Sequence, residues 1–197
     1  MQVVVKCLPL SKKFGRKLSL MHLLEKLLFV KGKPLVEMQI QVCKGAMMSK
    51  DMLEVSARLD EDEWGSGPGR DRVGMLATIF NYDEATADAE ERDLYRRCRC
   101  EAQYYASSLL ILAECASGKN PTTELLCASI LPFSVVVTRL HEIFDHPDLQ
   151  RTEEDVTGIK NCTVCFFRDV FVDTNSSHIL KALQRPFNGV WSTDKQT

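Results

Sequence analysis

No run of apolar residues in this sequence is long enough to cross a bilayer as a helix. The longest, "LLCASILPFSVVV" (125–137), carries two serines and a proline, against the ~20 apolar residues a spanning helix needs. No transmembrane segment is therefore expected. The opening "VVV" is too short for the core of a signal peptide. Catalytic signatures are equally scarce. The four histidines, His22, His141, His146 and His178, fall in no HExxH, no H-x-E followed by a cysteine pair and no Ser/His/Asp signature. The glycines of "GSGPG" (65–69) lack the GxxxxGK[ST] frame of a phosphate cradle and follow an acidic approach, so they read as a linker. The acidic run "DEDE" (60–63) lacks the alternating frame of a calcium loop and reads as solvated. There is no internal repeat and no low-complexity tract. A cysteine nucleophile assisted by a histidine stays a minor alternative, since triads assemble in space rather than in sequence. The expectation is a chain that is not an enzyme and needs no cofactor.

What is present is the composition of a folded globular protein. Of 197 residues, 45% are hydrophobic and 26% charged, which excludes a disordered chain and suits one domain over 1–197 whose core needs no disulfide or metal. The net charge of −2 conceals a split: residues 1–50 carry +8 and residues 51–197 carry −10. Such polarity speaks of partners and fields rather than of fold. The eight cysteines (7, 43, 98, 100, 115, 127, 162 and 165) are irregularly spaced and several lie in apolar runs, where a free thiol behaves as a small hydrophobe. An intracellular, reducing compartment follows, the cytoplasm or nucleus ahead of the mitochondrial matrix.

Along the chain, "QVVVKCL" (2–8) reads as a buried strand. Ser19 can cap a helix to Lys31 with Leu20, Leu23, Leu24, Leu27 and Leu28 on one face, His22 and Lys26 on the other, and Gly32 just past its end. In "LVEMQIQVC" (35–43), Val36, Met38, Ile40 and Val42 alternate with polar residues, the pattern of a half-buried strand. Two further strands are expected at 52–60 and 73–82, separated by an exposed acidic Gly/Pro loop at 60–72. From Asp83 the pattern becomes helical to Ser117, and Gly118 ends it. Asn120 caps and Pro121 starts a second helix that reaches about Phe144, with a kink at Pro132. The β-rich, aromatic "CTVCFFRDVFVD" (162–173) reads as a late strand, followed by a short helix capped from Asn175 or Ser176 and a tail after Pro186. The fold class expected is α+β. A small mixed sheet (a β-α-β-β-β start in 1–82 plus the late strand of 156–197) is packed by a long antiparallel helical hairpin over 83–145.

Three functional constellations follow from these residues. Tyr104, Tyr105, Leu109, Leu112, Phe133 and Val136 spread beyond one helical stripe, which suggests a protein interface on the hairpin. Lys12, Lys13, Arg16 and Lys17 crowd one loop around Phe14, with Lys31 and Lys33 near in sequence, a set suited to RNA or another polyanion, to an organelle address, or to plain solvated surface. Cys162 and Cys165 form the one CxxC, a weak candidate for zinc or thiol chemistry, because a strand would point them to opposite sides and no second ligand pair matches. The leading expectation is a non-enzymatic subunit or adapter of a larger assembly whose partners are other protein subunits. An RNA- or anion-binding module is the runner-up.

Overall fold

The computed structural model describes residues 18–49, 78–79, 82–145 and 154–190. The strands expected at 2–8 and 52–60, the loop 60–72, the cations Lys12, Lys13, Arg16 and Lys17, and Trp191 of the tail lie outside the described residues, as does most of the strand expected at 73–82. Of that last segment, Thr78 and Ile79 are helical.

The molecule is all-α, which corrects the α+β expectation. Seven α-helices account for nearly all regular structure among the described residues: α1 (Leu18–Leu27), α2 (Val36–Ser49), α3 (Ala89–Ser117), α4 (Pro121–Ile130), α5 (Phe133–Asp145), α6 (Glu154–Phe167) and α7 (Ser177–Val190). A two-residue antiparallel hairpin, β1 (Phe29–Val30) with β2 (Lys33–Pro34), joins α1 to α2. Its turn residues Lys31 and Gly32 have φ of 51° and 74°, the left-handed pair that a tight hairpin demands. Gly32 is therefore a turn residue rather than the end of a helix, and α1 stops four residues before Lys31.

Two segments read as strands are helices, for one physical reason. The alternation in 36–42 competes with a helical stripe that continues past it: Gln39, Val42, Cys43 and Ala46 are all buried, at i, i+3, i+4 and i+7. The second case is 162–173. Its β-branched and aromatic residues favour a strand locally, but Ile159, Thr163, Phe166 and Val170 are buried at helical spacing, and tertiary burial overrides propensity. The Thr163 hydroxyl donates back to the Ile159 carbonyl at 2.7 Å, so even the polar side chain on this stripe is satisfied within the helix. At Arg168–Val172 the helix widens into a π-turn, closed where the Asp173 N–H donates to the Arg168 carbonyl five residues back.

The long helix α3 organises the body. Asp88 and Glu91 form a reciprocal capping box at its start, Asp88 Oδ1 accepting from Glu91 N at 2.8 Å and Glu91 Oε2 accepting from Asp88 N at 3.0 Å. Its most extensive packing is against α6, far away in sequence, and it also meets α1, α2, α4 and the π-turn. Met21 and Leu24 bring α1 onto this core, and Leu28 just past its end joins them, each such burial stabilising by about 1.5–3 kcal/mol. Between α4 and α5, Leu131 is extended (φ −125°, ψ 97°) as a residue before proline must be. The kink expected at Pro132 is a full break with a 61° bend. No single described helix is long and apolar enough to cross a membrane, and α4 with Phe133–His141 meets that length only across the bend.

Candidate functional site

Two constellations of chemistry-bearing side chains lie inside the helical body. The first is a trio of thiols. Cys43 on α2, Cys115 on α3 and Cys127 on α4 are all fully buried and all reduced. They meet because α2 packs on α4 and both lean on α3 near its C-terminus. Cys43 Sγ lies 3.6 Å from Cys127 Sγ, and Cys127 can alternatively donate to the Leu112 carbonyl at 3.3 Å. Hydrogen bonds from Cys115 and then Cys127 draw the Cys43 thiol below the ordinary thiol range, more than burial raises it. Burial, followed by the bond to Cys43, pushes Cys115 up, whereas for Cys127 the bond to Cys43 comes first and burial second. Cys43 is thus the sulfur of the trio with two thiol neighbours able to stabilise a thiolate by S–H donation.

The second constellation is built on Glu124, fully buried in the first turn of α4. The helix that carries it starts as its sequence dictates: Asn120 caps it by accepting from Thr122 N at 2.9 Å, and Pro121 occupies the first position. Glu124 Oε2 accepts from the Thr174 hydroxyl at 2.8 Å and from Asn175 N at 2.9 Å. Thr174 Oγ1 in turn accepts from Ser176 N at 3.0 Å, and Ser176 Oγ accepts from Ile179 N at 3.5 Å to cap α7. The π-turn delivers Thr174 to this point by adding one residue to the helical path. A carboxylate thus sits at the N-terminal end of α7, where the helix dipole favours it. Near Glu124 and Thr174 in sequence, three apolar side chains remain exposed: Val172 at 59%, Leu180 at 44% and Leu125 at 42%.

The residues singled out from sequence fall as follows. Tyr104, Tyr105, Leu109, Leu112 and Val136 are buried in the chain's own core, and Phe133 is half-buried, edge-on to Phe171 with ring centroids 5.3 Å apart. The apolar surface that looked excessive beside one small sheet is covered from within, chiefly by α6. Lys31 and Lys33 are exposed on the β1–β2 hairpin. Cys162 and Cys165 sit on α6, not on a strand, so their i, i+3 spacing places them on one side of a helix and both are half-buried. Burial, then the neighbouring Cys165, pushes the Cys162 thiol up to about 11, the opposite of an activated thiol. Cys98, hydrogen-bonded to Thr78, is likewise raised to about 11, mainly by burial. Among the described residues, no group of three or more His, Cys, Asp or Glu side chains is arranged to hold a metal ion. His22, His141 and His178 are all exposed.

Sequence reasoning missed Cys43, Cys115, Cys127, Glu124 and Thr174. Only the helical reading of 36–46, which aligns Cys43 with Val42 and Ala46, could have marked Cys43 as interior. Its pairing with Cys127, 84 residues away, depends on how α2 meets α4. No protein-family model matches this chain, and no solved structure matches it significantly.

Proposed function

We propose that this chain is a protein-binding subunit or adapter with no catalysis of its own, and that it engages its partner through the face around the Glu124–Thr174 junction. The observation that carries this reading is that Leu125, Val172 and Leu180, exposed large apolar side chains from three elements, each lie within six residues in sequence of the Glu124–Thr174 hydrogen bond. Apolar residues exposed singly are ordinary surface. Exposed apolar side chains on a fixed scaffold are what a partner's own apolar residues can cover. The junction holds them in place, since Glu124 ties α4 to the start of α7 through two hydrogen bonds. Preorganisation of this kind lowers the ordering cost of association. Of the hairpin residues suggested by sequence, Tyr104, Tyr105, Leu109, Leu112 and Val136 are buried inside the chain and Phe133 is half-buried, so this reading places the partner elsewhere.

The test is site-specific photo-crosslinking in the cells that make the protein, with a photoreactive residue at position 172 or 180 and a control at the exposed Arg96 on α3. The expected result is one discrete adduct, the same protein from both junction positions, and none from position 96. Diffuse labelling that is alike at all three positions would overturn the reading.

A further inference from the structure

The interior thiol trio is not needed for the proposed binding face, and its geometry supports a separate chemistry. Cysteine is a usual small core residue, and one buried thiol asks for no explanation. Three from three helices, with Cys43 in hydrogen-bonding contact with both Cys115 and Cys127, are a different case. Cys43 and Cys127 lie Sγ to Sγ at 3.6 Å on helices packed directly against each other. Closing that gap to a bond of about 2.05 Å needs a movement of roughly an ångström and a half, within reach of side-chain rotation and a small helix shift. We propose that Cys43 and Cys127 are a hydroperoxide-sensitive pair that forms a disulfide between α2 and α4, with Cys43 the sulfur that reacts first.

The reaction balances with hydrogen peroxide as the only oxidant. The Cys43 thiolate attacks one peroxide oxygen; an S–O bond forms, the O–O bond breaks, and hydroxide leaves to take up a proton as water. Cys43 is now a sulfenic acid. Cys127 then attacks the Cys43 sulfur; the S–S bond forms, the S–O bond breaks, and hydroxide departs with the Cys127 proton as a second water. Two thiols and one peroxide give one disulfide and two waters. Cys43 takes the first step in this scheme because it alone contacts both other thiols, and S–H donation from them would favour its thiolate. Cys127 is the resolving thiol because its sulfur is in contact with Cys43, and releasing its bond to the Leu112 carbonyl frees it to attack. Cys115 is a positioning residue, holding charge on Cys43 without entering the bond. Cys43 is fully buried, so peroxide reaches it when the last turns of α2 open; Met47 and Met48 at that end are already exposed. The product would tie together two helices across an 84-residue separation.

The experiment treats the purified full-length chain with hydrogen peroxide, alkylates the remaining thiols under denaturing conditions, and maps the peptides by mass spectrometry. The expected outcome is a Cys43–Cys127 linked peptide, loss of alkylation at both Cys43 and Cys127, and a raised melting temperature that dithiothreitol reverses. In Cys127→Ala, Cys43 should instead accumulate as a sulfenic acid trapped by dimedone. In Cys115→Ala, the same linkage should form at least tenfold more slowly. A Cys43–Cys115 linkage would overturn the assignment of the resolving thiol. Full alkylation of Cys43 and Cys127 after peroxide has oxidised the exposed Cys100 would overturn the proposal outright. Cys127→Ala leaves Cys43 in place, so a folding failure of Cys43 variants does not block the test.

Discussion

Replacing Thr174 with valine removes a hydroxyl while keeping the side-chain shape, and the junction gives its cost. The hydroxyl donates to Glu124 Oε2 at 2.8 Å and accepts from Ser176 N at 3.0 Å. A hydrogen bond to a carboxylate contributes about 1.5–3 kcal/mol, and a neutral one about 0.5–1.5 kcal/mol. Glu124 is fully buried, and its other oxygen, Oε1, has no hydrogen-bond partner among the described residues. With both bonds lost at a buried carboxylate, Thr174→Val should cost about 2–4 kcal/mol. If unfolding is cooperative, the melting temperature falls by roughly 4–16 °C for a chain of this size. If the cost is instead local, the start of α7 opens, and amide exchange at Ile179 and Leu180 accelerates by about 30- to 1000-fold, since 1.4 kcal/mol is a factor of ten. Thr174→Ser, which keeps both bonds and loses only a methyl group, should stay within about 1 kcal/mol of wild type. Hydrogen exchange read by mass spectrometry with thermal melts separates these cases. A Thr174→Val protein that matches wild type in both would refute the view that this hydroxyl holds the junction.

Three further outcomes follow from other positions. Burial, then repulsion from Glu25, raises the Glu114 carboxyl to about 7, against a partial lowering by Lys26. The folded chain thus holds a proton that the unfolded chain has lost between about pH 4.3 and 7. Stability should decline as pH rises through that window, and Glu114→Gln should flatten the decline in urea titrations run at several pH values; an unchanged slope would reject this assignment. Phe166 is fully buried with Phe171 edge-on at 6.1 Å, so Phe166→Ala should cost about 3–5 kcal/mol in denaturant midpoint experiments. At the β1–β2 turn, Gly32→Ala should destabilise by about 1–2 kcal/mol and Lys31→Gly should stabilise by a similar amount, because both positions hold left-handed backbone.

Local signals in the sequence marked several boundaries well. Asn120 with Pro121, Pro132, and the end of α3 at Ser117 all come from residues whose backbone preferences act over one turn. Gly118 stands at that end for a reason invisible in sequence. Its φ is −68° and Lys119 takes the left-handed position, but a Cβ on Gly118 would sit 3.2 Å from both Gln39 Oε1 and Pro34 Cβ. The capping box at Asp88 and Glu91 was legible but lay inside a longer acidic run that blurred the helix start. The strand reading at 35–43 failed because seven alternating residues also fit a helix, and that at 162–173 because β-branched and aromatic content is overridden by burial; the deciding contacts come from distant segments: α4 against α2, and α3 against α6. That same distance hid both constellations. Cys43 meets Cys127, and Glu124 meets Thr174, across separations of 84 and 50 residues.

The claim most open to direct test is that the face around Leu125, Val172 and Leu180 holds a partner protein. The measurement is the native mass of the cellular protein, by gentle lysis and size separation with mass detection, for wild type and for a Val172→Asp, Leu180→Asp variant. Both substituted positions are solvent-exposed in the isolated chain, so the variant should fold with an unchanged melting temperature. The account predicts that wild type migrates in a discrete complex larger than one chain and that the variant migrates as a single chain. A wild-type protein found as a lone chain, or a variant that stays in the same complex, would contradict it.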